Sequence, residues 1–342
     1  MRRIIVALTC SLLMTGLQAA PTSDAASAQR PKVALVLSGG GARGLAHVGV
    51  VRALERLRVP YDCIAGTSMG AIAGGAFATG TTVADAERMV RDADWNYVFS
   101  DKPRRSDIPY FRKSEDFRNY FDFTLTLKGL DLLPPRNFVG VQNIGLFFRE
   151  LTDSVYAADF DQLPIPFRAI GTDIATGNAV VLKEGMVAEA MRASMTVPGV
   201  FPPIPYQGYL LVDGGIANNL PVNVGREMCG DVVIAVDVST PILKLGEMTS
   251  VLDFSTQAVN VSMQKSMNES LAEVRSTDIL IVPSLQGITA ADFNRVDDLI
   301  RLGEEAVLKQ EALLKPYQMT PEAYEEWRAG IQLRRQRLPR LQ

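Results

Sequence analysis

Apolar side chains change their spacing in a regular way after residue 30. Lys32-Val33-Ala34-Leu35-Val36-Leu37 carries five consecutive apolar positions, the pattern of a strand buried on both faces. Gly39, Gly40 and Gly41 stop it. From Gly44 to Leu57 the apolar residues, Val48, Val51, Leu54 and Leu57 among them, recur at helical spacing. Cys63-Ile64-Ala65 predicts a second strand that ends at Gly66. Met69 to Ala78 is small and apolar almost throughout, as suits a buried helix packed tightly on a sheet. This alternation predicts an α/β fold with a parallel sheet and right-handed crossovers.

Further strands are predicted at Phe167–Thr172, Ala179–Leu182, Tyr209–Val212, Val232–Val236 and Ile279–Val282. Helices are predicted at Val187–Ala193, Val222–Met228, Val251–Val274 and Asp292–Leu314. The stretch from about 95 to 160 has another texture. It mixes aromatic clusters such as Tyr120-Phe121-Asp122-Phe123 with breaks at Gly129 and Pro134-Pro135. That predicts an inserted subdomain, and its apolar surface suits a cap over an active site.

The ends read differently from the middle. Arg2 and Arg3 precede an apolar run from Ile4 to Leu17, and small residues follow at Ala19, Ala20, Ala25 and Ala26. This is the layout of an export signal over residues 1–25, with the cut after Ala19 or Ala25, and its run is too short to span a membrane. The expected location is therefore outside the cytoplasm: periplasmic, secreted or associated with the outer membrane. A hydrolase-sized domain follows over 31–314. Residues 315–342 read as a basic, solvated and frayed tail, with Arg334, Arg335, Arg337 and Arg340 crowded at its end. Past the signal only Cys63 and Cys229 remain, and their distance in sequence gives no sign that they meet, so they read as two buried thiols. A net charge of -3 over 342 residues carries no basic bias toward nucleic acid.

Three short motifs carry the chemistry. Ser38-Gly39-Gly40-Gly41-Ala42-Arg43-Gly44 lies between a buried strand and a helix, where glycine N–H groups and a helix N-terminus stabilise an anion, whether a phosphate or a tetrahedral oxyanion. It also satisfies the dinucleotide fingerprint G-x-G-x-x-G. That rival needs an acid at the end of the second strand, and Asp62 stands at its beginning. Gly66-Thr67-Ser68-Met69-Gly70 places a serine in a sharp strand-to-helix turn, exposed and flanked by glycines.

A nucleophilic serine needs a base. The chain has one histidine, His47, and it precedes Ser68, so the order serine, acid, histidine cannot occur. Either His47 serves from an unusual position or the base is a carboxylate; a structural role suits a histidine one turn into the first helix. Leu211-Val212-Asp213-Gly214-Gly215 supplies the carboxylate at a strand's end, although the same residues also describe a plain Asp-Gly-Gly turn. An aspartate of ordinary pKa is a weak base at neutral pH, so a Ser–Asp pair calls for desolvation of Asp213.

Glycine loop, G-x-S-x-G and D-G-G, in this order and without a usable histidine, resemble the patatin-like phospholipase family from about Pro31 to Leu314. The resemblance is strongest to exported bacterial members that carry a C-terminal outer-membrane barrel. It implies a three-layer α/β/α fold with a mainly parallel central sheet and an aromatic-rich cap. It makes Ser68 the nucleophile, Asp213 its partner, and Gly39, Gly40 and Gly41 with Arg43 the oxyanion hole. Gly44, Gly66, Gly70, Gly214 and Gly215 support the motifs. Arg192-Ala193-Ser194-Met195-Thr196-Val197-Pro198 and Asn218-Asn219-Leu220-Pro221 look like further landmarks that shape the site. The implied activity is phospholipase A-type hydrolysis of acyl lipids without metal or cofactor, with transient contact to a membrane surface. A general esterase or thioesterase and a non-catalytic lipid-binding module are the alternatives. Hydrolysis of soluble esters but not of vesicles marks the first, and failure to react with a fluorophosphonate marks the second.

Overall fold

In the computed structural model, which describes residues 30–100, 109–110, 126–128, 131–133, 142–242 and 251–340, the first apolar run is strand β1 (Val33–Leu37). Its alternation is two-sided. Val33, Leu35 and Leu37 enter one core, and Ala34 and Val36 enter the other, so no position is left for a polar residue. Seven more strands complete the sheet: β2 (Cys63–Thr67), β3 (Phe167–Asp173), β4 (Ala179–Leu182), β5 (Ile204–Tyr206), β6 (Tyr209–Asp213), β7 (Val232–Val236) and β8 (Ile279–Ile281). They lie in the order β8-β7-β1-β2-β3-β6-β5, with β4 also on β3. From β8 to β3 the neighbours are parallel; β4 and β6 are antiparallel to β3, and β5 to β6.

Strand β3 decides where the functional residues meet. One of its edges is taken by β4 from Ala169 to Thr172. The other pairs with β2 up to Ile170, which faces Thr67, and from Gly171 onward with β6, where Gly171 faces Asp213. Strands β2 and β6 run in opposite directions and end nose to nose on this edge. The residue after Thr67 therefore emerges beside Asp213.

Helices cover both faces, giving the three layers expected. On one side are α1 (Ala46–Arg56), α2 (Met69–Ala78), α3 (Val83–Asp92) and α4 (Val187–Ser194). On the other, α5 (Val222–Met228) and α6 (Val251–Ala272) bury Val222, Val224 and Met267 against Ala34, Val36, Cys63 and Ala65. Helices α7 (Val296–Leu308) and α8 (Pro321–Gln336) complete the first layer. All ten residues of α2 are buried. It lies so near the end of β1 that a side chain at Gly70 would run into the Leu37 backbone carbonyl.

Several expectations need correction. The helix read over Asp292–Leu314 begins only at Val296, because the Asp292 carboxylate instead accepts from Thr289 N (2.6 Å) and Thr289 Oγ1 (2.8 Å). A separate short helix, Glu311–Leu314, follows it. Helix α3 went unread although Thr82 caps it, accepting from Asp85 N at 3.1 Å.

The basic tail is not frayed. Thr320 caps α8 and Pro321 occupies its first turn. Tyr324 and Ile331 are buried, and Trp327 meets Tyr61 edge-on. Three of its arginines are committed to the body: Arg335 to Gly80 O and Asp153 (2.7 Å each), Arg334 to Pro164 O (3.0 Å), Arg340 to Asp153 (3.4 Å).

Of the expected cap, the helices Trp95–Val98 and Gln142–Leu151 are described, as is an antiparallel strand pair of Thr126–Lys128 with Asp131–Leu133. Residues Tyr120 to Phe123, Gly129, Pro134, Pro135 and the export signal over 1–25 lie outside the described residues.

Cys63 and Cys229, read as separate thiols, form a disulfide. Helix α5 lies across β2, so its C-terminal cap reaches the start of that strand although the two cysteines are 166 positions apart in sequence. Closing so long a loop constrains the unfolded chain, and loss of such a bond costs about 2–5 kcal/mol. Thermal melts should therefore show a lower Tm for Cys229→Ser, and for the native chain under reductant. An unchanged Tm in both would mean that the bond contributes nothing.

Candidate active site

Ser68 has φ 53° and ψ -122°, a backbone conformation that L-residues rarely adopt. Three bonds hold it there. Its carbonyl accepts the first helical N–H groups, from Ala71 (2.9 Å) and Ile72 (3.1 Å). Its own N–H donates to Ser194 Oγ (2.9 Å), and that hydroxyl donates to Ile170 O on β3 (2.5 Å). Ser194 is thus a strut between the elbow and the central strand. Its role was not legible in the sequence, which separates it from Ser68 by more than a hundred residues.

The turn aims Ser68 Oγ at Asp213 Oδ2, 2.8 Å away. Asp213 is wholly buried. Its other oxygen accepts from Gly215 N (2.8 Å), and its backbone is fixed by Thr196 O and Thr172 Oγ1 (2.8 and 2.9 Å). Burial disfavours the charged form and raises the Asp213 pKa to about 6; the bonds from Gly215 and Ser68 offset only part of this. The carboxyl is therefore a better base than an ordinary aspartate while still ionised near neutrality. Gly214 lies so close to β3 that a side chain there would meet the Ile170 carbonyl.

The glycine loop divides into two functions. Gly39 gives its N–H to Asn219 O (3.3 Å). Gly40 and Gly41 face the same cavity as Ser68, and among the described residues their N–H groups find no protein acceptor. Of the three glycines expected to offer N–H groups there, Gly39 is therefore already engaged within the protein. Arg43 is not part of it: its guanidinium donates to Val238 O (3.0 Å), Leu285 O (3.1 Å) and Ile288 O (3.0 Å), tying the loop to the segments after β7 and β8. Further bonds, Ser38 N to Val236 O (3.1 Å) and Val238 N to Ser38 Oγ (2.9 Å), fix the loop's start.

His47 stands apart from the nucleophile. It is fully buried, and its Nε2–H donates to Ser38 O (2.9 Å), which leaves Nδ1 unprotonated and without a hydrogen-bonding partner among the described residues. Burial lowers its pKa to about 4, against smaller opposing effects of Ser38 O and Asp237, so the ring is neutral. It braces the glycine loop. Asp62, the nearest candidate for a ribose-binding acid, accepts from Val33 N (2.8 Å) and serves the sheet instead.

Asn218 and Asn219 shape the site through their backbones. Asn218 O accepts from Thr67 Oγ1 (2.8 Å), and Asn219 N donates to Ser266 Oγ on α6 (2.8 Å). The cavity in front of Ser68 and Asp213 has a volume of about 520 Å³, within the range of small-ligand pockets, and Met69, Phe99, Met195, Val197, Phe201 and Met263 line much of it.

Residues 35–225 match the sequence model of a family described as patatin-like phospholipase. The chain is 34% identical over 209 residues to an uncharacterized NTE family protein of Mycobacterium tuberculosis, covering 61% of this chain and 49% of that one. It is 35% identical over 211 residues to patatin-like phospholipase domain-containing protein 7 of Rattus norvegicus, covering 61% of this chain and 14% of that one. The match thus spans about half the length of the bacterial relative and a much smaller part of the mammalian one. Among solved structures, VipD from Legionella pneumophila aligns at 15% identity and TM-score 0.45 over 83% of this chain and 67% of that one.

The raised pKa has opposite consequences for rate and stability. With Asp213 as the base, kcat/KM would fall about tenfold per pH unit below about 6, as its carboxyl takes up a proton. Stability should run the other way. The folded-state pKa exceeds that of the unfolded chain, so this group stabilises the fold fully below about 4 and the contribution is lost as pH rises through about 6. Asp213→Asn removes the buried charge and should melt no lower than the native chain at pH 7. A rate without an acid limb, or a clearly less stable Asn variant, would contradict this picture.

Proposed function

This chain belongs to the patatin-like phospholipase family, and we propose that it is a phospholipase A-type serine hydrolase that cleaves acyl esters of phospholipids with Ser68 and Asp213. The observation that carries the proposal is the 2.8 Å bond from Ser68 Oγ to Asp213 Oδ2, opening on a largely apolar cavity of lipid-compatible size.

In the first half-reaction Ser68 Oγ attacks the ester carbonyl while its proton passes to Asp213 Oδ2. The carbonyl electron pair moves onto oxygen, and the N–H groups of Gly40 and Gly41 receive the charge, each such donor being worth a few kcal/mol in the transition state. The intermediate collapses, the bond to the glycerol oxygen breaks, and the departing alcohol takes the proton from Asp213. Water then attacks the acyl-Ser68 ester with Asp213 again as base, releasing a fatty acid and restoring the serine. Met69 N–H and the rest of the first turn of α2 point positive potential at the same place.

The lipid substrate implies brief contact with a membrane surface and no nucleic acid partner. The charged and apolar layout of residues 1–25 supports an exported enzyme working outside the cytoplasm.

The test is product analysis by mass spectrometry on mixed-chain phospholipid vesicles. The native enzyme should release fatty acid and lysophospholipid, and Ser68→Ala should reduce the rate by on the order of 10⁴-fold or more with its circular dichroism unchanged. Full activity in that variant would overturn the mechanism. Turnover of short soluble esters with none on vesicles would favour a general esterase.

A further inference from the structure

A second, smaller cavity lies next to the catalytic one. Its volume is about 40 Å³, and its walls are aliphatic and aromatic throughout, with Ile72, Ala76, Phe147 and Leu151 among them. The two cavities share Met69, Phe99 and Met195, so these three side chains are the partition between them. Met69 directly follows the nucleophile, and Met195 directly follows the strut Ser194. The partition is built onto the catalytic elbow itself.

We propose that this chamber receives the methyl end of the substrate's acyl chain, and that Met69 and Met195 move aside to admit it, so that the accepted chain length is set here. The inference rests on the acyl-hydrolase reading of the Ser68–Asp213 site. Three physical points support it. An apolar space of this kind stays dry, and its walls lack contacts until an apolar group fills it. On the scale where one water needs roughly 10–15 Å³, the chamber holds about three such groups, enough for the last few carbons of a chain. Methionine, unbranched with three rotatable bonds, is the apolar side chain best able to change position at little cost.

Polarity orients the ligand. The small chamber belongs to the core under α1 and α2. The polar wall of the larger cavity, Ser239, Thr240, Asn260 and Gln264, comes from the segment after β7 and from α6, which packs on the opposite face of the sheet. An acyl ester held at Ser68 would direct its chain to the first side and its alcohol portion to the second.

The experiment measures binding and turnover separately. In Ser68→Ala, calorimetry with saturated fatty acids of increasing length should show affinity rising about fourfold per methylene until the chamber is full. Adding Ala76→Leu, which fills the chamber, should lower the ratio of long-chain to short-chain affinity at least tenfold. Adding Phe147→Ala should extend the rise to longer chains, and it decides the matter if the leucine variant does not fold. An identical plateau length in the parent and in every folded variant would overturn the proposal. The same length series as p-nitrophenyl esters, with Ser68 present, separates the two readings. Length-dependent binding without turnover of any ester would sink the hydrolase reading and leave the chamber. Turnover whose length profile neither variant moves would sink the chamber and leave the hydrolase.

Discussion

The hydrogen bond from Ser68 Oγ to Asp213 Oδ2 joins residues 145 apart in sequence, and the surrounding structure is arranged around the two conditions it imposes. One is positional: a strand must end beside another strand that arrives from the opposite direction. Strand β3 meets that condition by pairing with β2 up to Ile170 and with β6 from Gly171. The other is electrostatic: a carboxyl must be buried without losing all its charge. Gly215 N–H and the serine hydroxyl provide the only direct hydrogen bonds to its oxygens among the described residues, enough to hold the pKa near 6.

Both conditions make neighbouring side chains small. Helix α2 can start directly after Ser68 because Gly70 lets it approach the end of β1, and Gly214 lets the chain leave β6 against β3. The unfavourable backbone of Ser68 is held by Ser194 and by the first turn of α2. Arg43 in the glycine loop and His47 in the helix that follows it are turned away from Ser68 and bond to backbone carbonyls. They fix the loop in which Gly40 and Gly41 keep N–H groups without a protein acceptor among the described residues.

What the sequence made legible follows from how local each signal is. Buried parallel strands write themselves as apolar runs, so β1, β2, β3 and β7 were readable within a residue or two. Ser68 and Asp213 lie in turns whose glycines are adjacent in sequence. Arg43 misled because its neighbours imply an anion site, whereas its partners come from Val238, Leu285 and Ile288, which no local pattern links to it. The disulfide was hidden for the same reason, since only the packing of α5 across β2 brings the two cysteines together. Helix α8 was obscured by its narrow apolar stripe: Tyr324 and Ile331 are buried in a segment whose arginines look solvated until their acceptors are known. Ser194 lies in a stretch already read as shaping the site, but its bond to Ser68 could have been found only by asking what restrains that serine.

In the proposed reaction a carboxylate, not the chain's one histidine, is the base. Comparing kcat/KM for a fluorogenic acyl ester in Asp213→Asn and His47→Gln, each checked for native circular dichroism, tests it most directly. Asp213→Asn should lose nearly as much activity as Ser68→Ala, while folded His47→Gln should keep most of it. A loss in His47→Gln as severe as that in Asp213→Asn would contradict that assignment.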